Sequence, residues 1–473
     1  MLQSVIVPVL YLLSAILFIV GLKGLTRIRS ARRGNAIAAL AMLIAIGTTL
    51  LEMGLVDYRW IIAGLVIGGL AGGIAAVRVQ MTAMPEMVAL FNGFGGSASA
   101  LVALSILWLQ VIEPQTQASA DSILGADVAL TSFFSILIGT VTFSGSLVAF
   151  LKLSGRIGGA PVMLAGRHVI NGLLFAVTAI AGVSMAFVTV GSQPTMIAAL
   201  VVVVISLVLG VLMVIPIGGA DMPVVISLLN SLSGVAAAAT GFVLQSNVLI
   251  ISGALVGASG LILTQIMCVA MNRTLGNVLF SGFGQEATSK DSRDYENVRS
   301  CGAEEAAMIL ETAESAIIVP GYGLAVAQAQ HMAREVADLL EARGATVRYA
   351  IHPVAGRMPG HMNVLLADAD VPYEKLVEMD QINADFKTTD AVLIVGANDV
   401  VNPAAETDPA SPIAGMPVLK VWEAKSVMVI KRSLSPGFAG IKNGLFERPN
   451  TMMVFGDAKQ ILQEIVSELK QLA

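Results

Sequence analysis

Cysteine is nearly absent from this chain, with only Cys268 and Cys301 among 473 residues. Two cysteines, one at the edge of an apolar run and one in a polar stretch, build neither a zinc site nor a disulfide framework. Histidine is almost as scarce, and His168, His331, His352 and His361 show no metal-ligand spacing. Nothing in the sequence points to a haem, iron–sulfur or flavin site, and no catalytic acid–base dyad stands out. Charge is sparse too, at 13% of residues, while 56% are apolar and the mean hydropathy is +0.80. That balance is too apolar for a soluble globular protein and fits a chain with several membrane spans.

The few charges are unevenly placed. Residues 1–271 carry ten Lys+Arg and seven Asp+Glu, against eighteen and twenty-six in residues 272–473. Charged residues rise from about 6% to about 22% across that boundary, as expected for a membrane domain joined to an aqueous one. The aqueous part is acidic, which argues against nucleic-acid binding.

Apolar segments long enough to cross the bilayer as helices fall at 2–22, 35–51, 60–80, 87–110, 128–151, 168–190, 196–216, 223–244 and 247–271. The first lacks a basic leader and a small-residue cleavage site, and reads as a retained span. Basic residues gather in alternate loops: Lys23, Arg27, Arg29, Arg32 and Arg33, then Arg78, then Lys152, Arg156 and Arg167, then Arg273. The positive-inside rule puts the N-terminus outside and the C-terminal part in the cytoplasm. Gly64, Gly68 and Gly72, with Gly69 and Gly73, and Gly253 with Gly257, recur at four-residue spacing and predict close helix packing; a pore lining is the alternative. Polar groups at depth are few: Glu86, Asp221 and His168 at span ends, Asn92 and Asn230 within spans. Such groups are costly and often functional, but at span ends interfacial anchoring serves equally well.

Residues 272–315 are polar and irregular, with a short helix over 303–313, and read as a linker. Residues 316–473 then alternate between strand and helix patterns. Strands are predicted at 316–320, 346–351, 390–395, 418–422, 426–431 and 452–455, with helices at 324–342 and 458–472. The alternation predicts a doubly wound, six-stranded parallel α/β sheet of Rossmann type, with ligands at the carboxyl ends of its strands.

The first strand runs into Gly321-Tyr322-Gly323-Leu324-Ala325-Val326, a G-x-G-x-x-V turn suited to a pyrophosphate, with Val326 where a third Gly or Ala is usual. The second ends Tyr349-Ala350-Ile351-His352-Pro353, without the acid that holds the adenosine ribose of NAD. The fifth ends Lys431-Arg432-Ser433, two cations and a hydroxyl that suit a 2′-phosphate or form a solvated strand end. Together these favour NADP over NAD. Two further Gly- and Pro-rich strand-end loops span 354–361 and 396–403. In the latter, Asp399 is either a turn residue or an acid facing the cofactor.

At 321–331, 352–366, 396–399, 431–433 and 455–459, and in the membrane half at 218–225 and 267–273, the sequence resembles the beta subunit of proton-translocating, Re/Si-specific NAD(P) transhydrogenase. The resemblance covers essentially the whole chain. It implies a transmembrane proton-translocating domain at 1–271, a linker at 272–315 and an NADP(H)-binding domain at 316–473. The motifs assign NADP(H) to Gly321, Tyr322 and Gly323, then to Val354, Ala355, Gly356, Arg357, Met358 and Pro359. They continue through Gly396, Ala397, Asn398, Asp399 and Val400, with Gly415 and Met416. Last come Lys431, Arg432, Ser433, Leu434, Ser435, Pro436, Gly437 and Phe438, then Asp457 and Ala458. Phe438 replaces the usual Tyr of a loop that closes on the nucleotide, keeping the stacking ring without its hydroxyl.

NAD(H) is implied to bind an alpha subunit that also brings further spans, in a dimer of heteromers in the bacterial inner membrane. Hydride then passes between two nicotinamides, and no acid–base catalyst is required, Asp399 being the one residue with a possible catalytic part. Several relatives carry a His where this chain has Asn92, which cannot titrate near neutrality. The proton carrier is therefore expected on a partner span, with Asn92 and Asn230 along a water path, Asp221 at its cytoplasmic end and Glu86 included. A channel or transporter gated by a cytoplasmic NADP(H)-sensing domain would explain the spans and the sheet equally well, but not the motif matches.

Overall fold

The computed structural model describes residues 2–25, 28–53, 58–80, 83–112, 126–158, 162, 164, 166–185, 187, 193–218, 221–271, 274–280, 295–358, 360–411, 413–437 and 439–472. The chain divides into two compact units, Met1–Thr264 and Gln265–Ala473.

Long apolar helices make up the first unit because lipid offers no partner for a backbone N–H or C=O, and a helix satisfies them internally. They are α1 (Leu2–Leu25), α2 (Ile28–Met53), α3 (Tyr58–Arg78), α4 (Met84–Ile112), α5 (Ala126–Leu153), α6 (Arg167–Met185), α7 (Gln193–Val214), α8 (Met222–Val243) and α9 (Asn247–Ala270). Among the described residues all nine are long and apolar enough to span a bilayer, as the hydropathy pattern predicts. The basic run after the first span is mostly helical, since α1 and α2 reach Leu25 and Ile28.

Helix α5 is the hub, packing against α4, α7 and α8. It meets α4 backbone to backbone: a Cβ on Gly139 would lie 2.5 Å from the Gly96 carbonyl oxygen. At the far end of α5 the buried Lys152 ammonium donates to the carbonyls of Ile215 (2.6 Å) and Ile217 (2.8 Å), just past the end of α7, where carbonyls lack helical partners. This lysine, counted by sequence among the loop charges, is thus a cap. Helices α8 and α9 approach as closely through Gly234, Gly253 and Gly257, as the spacing of the last two predicts. The α3 glycines behave otherwise. Among the described residues nothing lies within 4 Å of a Cβ placed on Gly64, Gly68, Gly69, Gly72 or Gly73, so the close packing expected of them is not made by those residues.

In the second unit a short α10 (Leu275–Phe280) precedes α11 (Ala303–Glu311), and a parallel sheet follows. Its strands are β1 (Ser315–Pro320), β2 (Thr346–Ile351), β3 (Leu376–Glu378), β4 (Ala391–Val395), β5 (Ser426–Lys431) and β6 (Thr451–Phe455), in the order β3-β2-β1-β4-β5-β6. Every pairing is parallel. Helices α12 (Tyr322–Val326), α13 (Gln330–Ala342), α14 (His361–Asp368), α15 (Met379–Ile382), α16 (Ala404–Thr407) and α17 (Ala458–Gln471) complete the unit. Strands β1 and β4 are buried almost throughout, as expected of a sheet covered on both faces.

Three local expectations are corrected. The apolar run at 418–422 is not a strand; Val418, Leu419 and Val421 are buried, but the backbone bonds elsewhere. Leu419 N–H donates to Val400 O (2.9 Å), and the Asn383 amide clamps Val418 O and Lys420 N–H. The sixth strand is instead β3, too short and polar at its end to stand out. The helix expected over 324–342 breaks after α12, where Gln328 turns left-handed (φ 50°) and Ala329 N–H reaches back to Leu324 O, a Schellman-type end that Ala-Val-Ala-Gln-Ala does not advertise. The stretch read as linker is structured at its end, where Met453 N–H donates to Arg299 O (2.8 Å) and Cys301 N–H to Met453 O (3.0 Å). That segment covers the edge strand β6.

The helix contacts separate two glycine classes. Gly139→Ala should destabilise the purified chain in detergent by about 1–3 kcal/mol, the usual cost of overpacking, whereas Gly68→Ala should not. Equal shifts in the thermal unfolding midpoint would contradict the packing described.

Candidate functional site

Parallel strands deliver every β-to-α loop to one edge of the sheet, where the strand order reverses between β1 and β4. The β1 and β4 loops touch through main chain alone. Gly321 N–H donates to Val395 O and Gly323 N–H to Gly396 O, both at 2.9 Å. A Cβ on Gly323 would sit 2.6 Å from Gly396 Cα, and one on Gly321 would strike Ala397. Gly396 itself has φ +70°, so three glycines are sterically required to leave this floor open to a ligand.

The β2 loop is fixed by two buried histidines. His352 Nε2–H donates to Pro417 O (2.7 Å), and Nδ1 accepts from Val354 N–H (3.3 Å). Burial pushes its imidazole down to about 4, so it is neutral and ties Val354 to the loop carrying Gly415 and Met416. His361 Nδ1 accepts the Arg357 N–H (3.0 Å), and Gly356, at φ +108°, has no room for a Cβ beside that ring. The Arg357 guanidinium lies 4.4 Å from the centre of the Tyr322 ring, a cation–π contact joining the β1 and β2 loops. Ala355 is buried, while Val354 and Met358 are half-buried; Pro359 lies outside the described residues.

The β5 loop is held from the β4 side. Asp399 Oδ2 accepts Ala439 N–H (3.0 Å), and Gly437 passes so close that a Cβ there would lie 2.5 Å from Asp399 Oδ1. Asn398 accepts from the buried Asn443 amide through its main-chain carbonyl (3.0 Å). Lys431 turns inward: its ammonium donates to Ser435 O and lies 5.1 Å from the Phe446 ring centre, and burial pushes its pKa down against the pull of Asp399. Arg432 and Ser433 are exposed at the end of β5, with the Ser433 hydroxyl donating to Ser435 Oγ (2.9 Å). Leu434 packs on the core, Pro436 is exposed, and Phe438 lies outside the described residues. Asp457 caps α17 by accepting Lys459 N–H (3.0 Å), with Ala458 buried behind it.

The structure therefore joins the loops after β1, β2, β4 and β5 and the 415–417 turn into one rim. Asp399 is engaged in holding a loop, and no cluster of acidic, histidine or cysteine side chains able to hold a metal occurs among the described residues. Sequence reasoning did not single out His361, the buried first residue of α14, or Asn402 and Asn443, buried polar residues in loops, because their types and neighbours mark only turns.

In the membrane unit Asn92 is buried at the α4–α5 seam and donates to Ser146 Oγ (3.0 Å), leaving Oδ1 buried with no hydrogen-bond partner among the described residues. Farther along the seam Ser135 donates to Ser99 O (3.1 Å) and shares a 2.7 Å bond with Thr240 of α8. Asn230 lies on an exposed face of α8, and the structure does not bring it to Asn92. Asp221 precedes α8 as its N-cap residue, and Glu86 sits half-buried in the first turn of α4. Arg167 Nε donates to His168 Nε2 (3.3 Å).

A polytopic helical membrane protein that carries a parallel, doubly wound Rossmann-like sheet is the class these features define. The family described as NAD(P) transhydrogenase beta subunit matches residues 7–468. Two relatives, each NAD(P) transhydrogenase subunit beta of Rhodospirillum rubrum, are 47% identical over 464 residues, covering 97% of this chain and 98% of their own. The chain belongs to the NAD(P) transhydrogenase beta-subunit family.

The neutral His352 carries a pH signature. Its folded pKa of about 4 lies below the ordinary 6.5, so the unfolded chain takes up the proton first as pH falls. Its contribution is intact above about pH 6.5 and drains away toward pH 4, a loss of about 3 kcal/mol. Thermal unfolding of the full chain in detergent should fall more steeply across that window than in His352→Gln. Parallel declines would refute the assignment.

Proposed function

We propose that this chain is the NADP(H)-binding subunit of a proton-translocating, Re/Si-specific transhydrogenase. In this reading residues 1–271 carry the proton path, 272–315 connect, and 316–473 bind NADP(H) on the cytoplasmic side of a bacterial inner membrane. NAD(H) is held by an alpha partner.

What carries the reading is a contrast between two strand ends. Past β2 the chain offers no carboxylate to the adenosine ribose, and His352 there is buried and engaged. Past β5 it offers an exposed guanidinium and hydroxyl, Arg432 and Ser433, suited to a phosphate monoester. Lys431 braces the loop that presents them. The open glycine floor at Gly321, Gly323 and Gly396 lets a pyrophosphate approach main-chain N–H groups, and the loop from Val354 to Met358 lies beside it. Bound NADP(H) supplies the hydride donor or acceptor. The chain's part is to hold the nucleotide in register with a second nicotinamide and to exclude water, which is how positioning lowers such a barrier. The buried polar seam with Asn92 supports a water-lined route through α4 and α5, with Asp221 toward its cytoplasmic end, Glu86 as a further member, and the titrating carrier on a partner span.

Removing the charge-assisted phosphate contact in Arg432→Ala should weaken NADP binding by roughly 1.5–3 kcal/mol and leave NAD binding nearly unchanged, as read by calorimetry on the full chain in detergent. Equal losses for the two nucleotides would remove Arg432 from the 2′-phosphate. The pure chain without its partner should transfer no hydride from NADH to an NADP analogue, because its sequence holds a single dinucleotide fingerprint; turnover by the pure chain would overturn the division of labour.

A further inference from the structure

The segment that enters the sheet ahead of α11 is tied into the nucleotide loops by a short relay of hydrogen bonds. Tyr295 OH accepts the N–H of Asn443 (3.0 Å). The Asn443 side chain, fully buried, donates to the Asn398 carbonyl (3.0 Å) and accepts from Leu445 N–H (3.0 Å). Asn398 precedes Asp399, which holds Ala439 in the loop after β5. The Tyr295 ring lies 5.9 Å from that of Phe446 and 5.0 Å from the Lys442 ammonium. Beside it, Glu296 N–H donates to Glu447 Oε1 (2.8 Å), and Glu447 pairs with Lys442 (2.7 Å). The segment is thus anchored by its side chain and main chain to 442–447, directly after the loop that borders the site.

We propose that Tyr295 is a positioning residue for the nucleotide: through Asn443 it sets the relative placement of the β4 and β5 loops, and with it the affinity for NADP(H). The inference rests on the reading that these loops hold NADP(H). Two observations separate this role from packing alone. The ring fills space against Phe446, but the hydroxyl serves, among the described residues, one partner, a main-chain N–H in a buried turn. That turn is seated on the core at Leu445 and Phe446, and its Asn443 amide reaches out from there to Asn398 in the β4 loop. Energetic coupling of this kind is reciprocal, so the nucleotide must also hold the 295–301 segment more firmly.

Tyr295→Phe keeps the ring and deletes the hydroxyl. In the full chain assembled with its partner it should raise the KM for NADP(H) roughly fivefold or more, the usual consequence of leaving a buried N–H without its acceptor, with kcat and the KM for NAD(H) changed less than about twofold. An unchanged KM for NADP(H), or equal changes for both nucleotides, would overturn the proposal. A second measurement needs no variant: adding NADP to the wild-type chain should slow amide exchange across 295–301. If the wild type binds NADP and exchange there is unaltered, this inference fails alone. If it binds no NADP, the reading beneath fails as well.

Discussion

Every backbone N–H and C=O taken out of water must find a partner, and both halves of this chain are answers to that constraint. In lipid the answer is local: the long apolar helices satisfy their own main chain, and where α7 runs out of partners Lys152 supplies them. In water the answer is non-local, a parallel sheet buried on both faces. Parallel pairing has a topological consequence that no single residue encodes. All connections that leave a strand do so at the same edge, so the loops after β1, β2, β4 and β5 are forced into company there.

Once gathered, those loops must be held without filling the space between them. Two devices do this. Glycines let main chain touch main chain, as Gly323 does with Gly396. Small buried polar side chains hold loop to loop: His352 between Val354 and Pro417, Asp399 against Ala439, Asn443 against Asn398. Each replaces a ladder hydrogen bond that irregular backbone cannot make. The cations at the end of β5 divide accordingly. Lys431 folds inward as a brace, and Arg432 is left exposed. The same economy governs α4 and α5, where Gly96 and Gly139 bring backbones together and Asn92, Ser99 and Ser135 line the seam.

Legibility in the sequence followed the range of the interaction. The nine spans and five of the six strands could be read because hydrophobic length and periodicity are local signals. The strand β3 escaped because three residues carry no period, and 418–422 misled because burial alone makes a run apolar whether or not it pairs. The site glycines were legible as a fingerprint. The neutral state of His352, the brace made by Lys431 and the link from Tyr295 to Asn443 were not, since each depends on what the fold brings to that side chain from 4 to 148 residues away. The α3 glycines were legible as a packing motif, yet among the described residues nothing packs on them.

The central claim is that the edge past β5 reads a 2′-phosphate and the edge past β2 does not read a ribose diol. An experimental structure of the full chain with NADP bound tests it most directly. The account predicts the pyrophosphate over Gly321 and Gly323, with the 2′-phosphate against Arg432 and Ser433. A nucleotide whose adenosine ribose lies at the end of β2, with Arg432 still facing solvent, would contradict it.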